Sequence, residues 1–154
     1  MTDDLQRMLL HPPVQTQAFF ALVETTAGLV GISEKYWHSK GLNGARIRLL
    51  AEIAKAGGTL LPSVLARRIG VTKPNITVLL APLEKDGLVA RAAHPQDGRK
   101  TVVSITEAGE ALLLDHLPGN RQTIADAMQG LEEDEQRQLI RLLDKLNRTK
   151  SHSL

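Results

Sequence analysis

The sequence predicts a mostly helical α+β fold: two short helices followed by one small β-hairpin, with longer helices at either end. Three observations predict it. Apolar residues recur at helical spacing along most of the 154 residues. The spacing turns strand-like only near 88–92 and 101–105. Between Pro62 and Gly87, turn-forming residues mark two helices joined by a tight corner. At 42% hydrophobic content the chain can bury an ordinary core as a single unit over 1–154.

Met1 to Pro13 reads as irregular, with Pro12 and Pro13 marking entry to a helix over Val14 to Ser39. There Phe19, Leu22, Val23, Thr26, Leu29, Val30 and Ser33 trace an apolar stripe wide enough for more than one partner, and Gly28 and Gly31 leave room for another backbone. Gly41 to Gly44 is a break. Asn43 then caps a helix whose Ile47, Leu50, Ile53 and Ala54 face inward, ending at Gly57-Gly58 before a short strand, Thr59 to Leu61.

Pro62 suits a first helical turn, where its missing N–H costs nothing, and Val64, Leu65 and Ile69 form a short stripe ending at Gly70, a residue able to take a left-handed cap. Val71 fills the corner. Thr72 is an N-cap for the next helix, in which Ile76, Leu79, Leu80 and Leu83 keep i, i+3, i+4, i+7 spacing before Gly87 closes it. The outer face presents Lys73, Asn75, Thr77, Val78, Ala81 and Lys85, small or basic side chains suited to a major groove. A plain helical hairpin in a bundle would show the same turn chemistry.

The next twenty residues favour a nucleic-acid reader. Leu88 to Ala92 and Thr101 to Ile105 read as strands around His94-Pro95-Gln96-Asp97-Gly98-Arg99-Lys100, and Asp97-Gly98 predicts a type I′ turn at the tip. A hairpin placed there, with Arg99 and Lys100 at its tip, is a wing whose Arg can enter a narrow minor groove. The winged helix-turn-helix region is thus expected over 43–106.

Beyond it, Thr106 caps a helix through Leu117, with Pro118-Gly119 predicting a bend or break before Ile124, Ala127 and Met128. Glu132 to Glu135 place acids at the start of a last amphipathic helix carrying Leu139, Ile140, Leu142, Leu143 and Leu146. With the DNA-binding core closed by the hairpin and three helices, segments 12–41 and 107–149 are left to serve as dimerisation helices.

A net charge of +2 is only mildly basic, so nucleic-acid affinity must come from local clustering of Arg67, Arg68, Lys73, Lys85, Arg91, Arg99 and Lys100. The chain has no Cys, which excludes disulfides, thiolate metal sites and a thiol redox switch. No secretory signal or membrane span is read, and the chain is expected in the cytoplasm. The histidines, His11, His38, His94, His116 and His152, are scattered without metal-ligand spacing, and neither a nucleophile elbow nor a phosphate loop occurs. No enzyme, metal or cofactor is expected. His94 reads as a structural hydrogen-bonder.

Gly70-Val71-Thr72, Leu83 to Val89, the Asp97-x-Arg99 wing and Ile105-Thr106-Glu107-Ala108-Gly109 together resemble the MarR family of transcription regulators over almost the whole chain. The resemblance implies a homodimer on a pseudo-palindromic double-stranded DNA operator, most simply a repressor released by a small aromatic or anionic effector. It assigns DNA contacts to Arg67, Thr72, Lys73, Asn75, Thr77, Val78, Lys85, Arg99 and Lys100, and wing support to Asp97. Family members commonly carry Arg in mid-recognition helix where this chain has Val78, followed by Ala81 and Pro82. Val78 and the Thr77 methyl can touch thymine methyl groups, with specificity leaning on the wing and on DNA shape. Tyr36 and Trp37 read first as core; as one wall of an effector pocket they would take Arg46 and Arg48 as charge partners. The second function class is a winged-helix protein-interaction module or anti-regulator lacking operator binding.

Overall fold

The computed structural model describes residues 2–150; His152 lies outside the described residues. In chain order the elements are α1 (Asp3–Leu10), α2 (Val14–Ser39), α3 (Gly44–Lys55), β1 (Thr59–Leu60), α4 (Pro62–Ile69), α5 (Lys73–Lys85), β2 (Val89–His94), β3 (Asp97–Ile105), α6 (Glu107–Met128) and α7 (Glu133–Lys150). The three strands form one antiparallel sheet in the order β1-β3-β2, with Leu60 opposite Val103 and Val89 opposite Ile105. No described helix is long and apolar enough to cross a membrane.

Local chemistry explains most boundaries. The Asn43 side chain accepts the Arg46 N–H at the start of α3, and Gly70 takes the left-handed conformation (φ 77°, ψ 36°) that ends α4 and turns the chain into α5. Thr106 does two jobs at 2.6 and 3.2 Å. Its hydroxyl donates to the Gly87 carbonyl and accepts the Gly109 N–H, tying the end of the α5 turn to the start of α6.

Several expectations are corrected. Residues 3–10 are helical rather than irregular: Asp3 and Asp4 sit in a first turn, where the helix dipole favours them, and the two prolines terminate the segment without unfolding it. Thr72 occupies the N-cap position of α5, but its hydroxyl caps no backbone N–H. In α3 it is Leu49 that is buried while Ala54 is exposed, because this helix is packed by α2, α4, α5, α6 and the sheet, and so buries more than one face.

The hairpin turn also differs. The loop is Pro95-Gln96, flanked by the pair His94 and Asp97, and Gly98 lies within β3 without positive φ. Proline presets the first turn position, and the His94 ring nitrogen Nδ1 accepts the Gln96 N–H at 3.1 Å. The ladder shifts between Ala93 and His94, so 98–100 are displaced from regular pairing. At Pro118-Gly119 the single-helix alternative holds, since α6 runs unbroken through Pro118.

The core centres on Leu49, Leu50, Ile53, Leu65, Ile76, Leu80, Leu83 and Val103, all nearly sealed from solvent. It is not closed by the hairpin and three helices alone: Trp37 from α2 and Leu113 from α6 complete it. Among the described residues, helices α1 and α7 contribute nothing to it. A β-carbon added at Gly28 or Gly31 would meet no described atom within 4 Å outside its chain neighbours and its own helix backbone.

Candidate nucleic-acid interface

Helix α5 is held from behind and open in front. Ile76, Leu80 and Leu83 anchor it, while Lys73, Asn75, Thr77, Val78, Ala81 and Lys85 are exposed. Pro82 leaves α5 continuous to Lys85. At its C-terminal end Glu84 pairs with Arg91 of β2, and Asp86 pairs with Arg46 of α3 at 3.4 Å, so the helix is braced against both the wing and α3.

The start of α5 and the wing share one groove of about 470 Å³, which brings Lys73 and Thr77 together with Ser63 of α4 and Arg91, Lys100 and Thr101 of the hairpin. Ser63 and Thr101 were not assigned from sequence, and Arg91 was assigned only to the basic cluster; the signal lay in strand parity, which places Arg91 and Thr101 on one face of the hairpin. Such a groove offers cations and hydroxyls to a phosphate backbone. Arg67 is exposed on α4.

At the wing, Asp97 accepts the Arg99 N–H at 3.2 Å and Arg99 Nε at 3.3 Å, and stands 3.8 Å from Lys100 Nζ. Arg99 and Lys100 thus lie in β3 just past the Pro95-Gln96 tip rather than at it, and the Asp97 carboxylate draws both cations together, yet the Arg99 side chain remains 93% exposed. Asp97 spreads its charge over both neighbours, so neither is committed to it.

The four residues assigned to an effector pocket do not converge. Trp37 and Arg48 line one groove of about 500 Å³ between α2, α3 and α6. Arg46 instead lines a separate groove with Leu42, Leu88 and Leu112, occupied with Asp86. Tyr36 stacks edge-on against Trp37 and donates its hydroxyl to the His116 carbonyl at 2.8 Å, as a brace between α2 and α6. Two positions on a helix point about 200° apart, so Arg46 and Arg48 cannot share one pocket, and which of them meets Trp37 depends on how α2 packs on α3. Asn120, unassigned from sequence, lines the Trp37 groove, with its Oδ1 buried and without a hydrogen-bond partner. Nearby, a hydrogen bond from Lys55 holds the Glu52 carboxyl below its ordinary range, reinforced by the charges of Lys55, Arg68 and Arg48. No cluster of metal-ligating side chains occurs among the described residues.

The family model described as MarR family matches residues 40–100, the span from the α3 break to the wing. The HTH-type transcriptional repressor YetL of Bacillus subtilis is 31% identical over 131 residues, covering 84% of this chain and 78% of YetL. The chain belongs to the MarR family. MarR-family proteins are transcriptional regulators, not enzymes. Among solved structures with this fold, two bear on the site. A mutant of Escherichia coli MarR, complexed with operator DNA, matches with a TM-score of 0.76 at 20% identity, over 91% of this chain and 96% of that one. Bordetella bronchiseptica BpsR, whose DNA binding is regulated by 6-hydroxynicotinic acid, matches with a TM-score of 0.76 at 21% identity, over 88% and 96%.

Proposed function

We propose that this MarR-family protein is a homodimeric, sequence-specific DNA-binding repressor released by a small aromatic acid. The observation that carries the DNA reading is the juxtaposition of the open face of α5 with a wing whose Arg99 side chain is 93% exposed. A helix in the major groove and an Arg in the adjacent minor groove need that arrangement. Dimerisation is supported by the apolar surface of the terminal helices: Phe19, Phe20 and Val23 of α2 and Ile140, Leu142 and Leu146 of α7 are exposed on the single chain. Two copies would set two α5 helices about one DNA turn, 34 Å, apart on a pseudo-palindromic operator.

The effector reading rests on Trp37, Arg48 and Asn120 rather than on Arg46. An aromatic acid in that groove would pack beside the largely buried indole, set its carboxylate toward Arg48, and offer a hydroxyl or ring N–H to Asn120 Oδ1. It can act only through unequal affinity for DNA-competent and incompetent dimers, and a hundredfold difference corresponds to about 2.7 kcal/mol. Titrating salicylate and hydroxynicotinate into the protein–DNA complex while following Trp37 fluorescence tests this. Release is expected with wild type and lost in Arg48→Ala, whereas Arg46→Ala should respond like wild type. Equal loss in both variants would reject the groove assignment.

The DNA reading is tested by a gel shift on the DNA upstream of the protein's own gene. Arg99→Ala should weaken binding by roughly 1–3 kcal/mol, and Lys73→Ala should act mainly through phosphate, flattening the salt slope by about one unit. Wild-type affinity in Arg99→Ala would sink the wing assignment.

A further inference from the structure

The line of α5 farthest from the core carries no hydrogen-bonding side chain until its last turn. Ile76, Leu80 and Leu83 mark the buried side. At about 100° per residue, the positions opposite them are Pro74, Val78, Ala81 and Lys85. All four are exposed, and the polar Lys73, Asn75 and Thr77 lie to the flanks. Val78 is 70% exposed, and among the described residues it is the sole large hydrophobic exposed between Ile32 and Leu114. The whole winged region thus presents one exposed large apolar side chain, at the centre of a reading helix that has Lys73 at one end and Lys85 at the other.

Base pairs present donors, acceptors and a single apolar group in the major groove, the C5-methyl of thymine. An apolar ridge pressed on the donors and acceptors of other pairs would leave them desolvated and unpaired, whereas against thymine it buries methyl on methyl. We infer, resting on the DNA reading above, that Val78 determines specificity by recognising the thymine C5-methyl, with Pro74 and Ala81 extending the apolar contact along the groove. Each half-site then carries thymine at the position beneath Val78. A single apolar residue is too small an area to dock a protein on its own, and the exposed Lys73, Lys85, Arg99 and Lys100 of the same winged region fit a polyanion.

Replacing thymine by deoxyuridine removes only this methyl. It keeps base pairing and leaves the minor groove, where the wing is placed, unchanged. The full chain is used to select duplexes from a random 20-base-pair library, and the selected duplex is remade with deoxyuridine at each thymine in turn. Wild type should lose about fourfold in affinity at the critical thymine of each half-site. Val78→Ala should bind the two duplexes within twofold of each other, and Val78→Ile should retain the preference. Because Val78 is exposed, both variants should melt like wild type. Equal wild-type affinity for both duplexes would overturn the methyl assignment while leaving DNA binding intact, as would a preserved preference in Val78→Ala. If wild type enriches no duplex at all, the DNA reading itself falls, and the apolar ridge becomes part of a protein-docking face.

Discussion

Leu142→Glu combined with Leu146→Glu is expected to yield a monomer in solution and to weaken operator binding by two orders of magnitude or more. Both leucines lie on the exposed apolar side of α7, which places no residue in the core, so the substitutions cost the single chain little. In a dimer they would bury four carboxylates against apolar partners, and such burial is costly enough to exclude association. The DNA effect follows from geometry. Two linked reading heads gain roughly 10²–10⁴ over one, and the gain vanishes when they separate. Light scattering at micromolar concentration, paired with a gel shift, reads both. A variant with the wild-type solution mass would place the twofold interface elsewhere.

Gly109→Ala is the second large effect, and it acts on folding. A β-carbon at Gly109 would overlap the Leu88 carbonyl oxygen and stand 2.8 Å from Ile105 Cγ1. The carbonyl cannot swing away, because it accepts the Thr106 N–H at 3.1 Å. The start of α6 must lift off the sheet instead. Overpacking of this kind costs about 1–3 kcal/mol, and contact with a fixed backbone atom puts the loss at the upper end. For a chain of this size the melting midpoint should fall by roughly 5–10 °C. Gly130→Ala, where nothing lies within 4 Å, is the control. A similar drop there would show that the Leu88 contact is not the cause.

At several positions where one residue type serves one local geometry, the sequence was readable. Pro62, Gly70 and Asn43 ended or began helices as their chemistry demands, and β-branched residues marked β3. The errors arose where two local signals competed or where distance mattered. Asp97-Gly98 is a strong hairpin signal, but the neighbouring Pro95 and the His94 ring fix the turn two residues earlier. Pro12 and Pro13 outweighed a short amphipathic helix in front of them. For the candidate site, the exposed face of α5 was legible because helical spacing alone sorts its inner and outer sides. The grooves were not, since bringing Ser63 beside Thr101, or Asn120 beside Trp37, depends on how elements far apart in the chain pack.

Because Trp37 and Leu113 fill the same core as Leu50 and Leu80, the reading head does not end where its secondary structure ends. A cassette cut at 43 and 106 would leave behind a Trp that is 4% exposed in the intact chain, and would open the face of α3 that it covers. Such a fragment would expose well over a hundred square ångströms of apolar surface from the indole site alone. Chimeras that exchange DNA specificity between relatives should therefore be joined no later than Tyr36 and no earlier than Leu117. The brace from Tyr36 to His116 then travels with the graft.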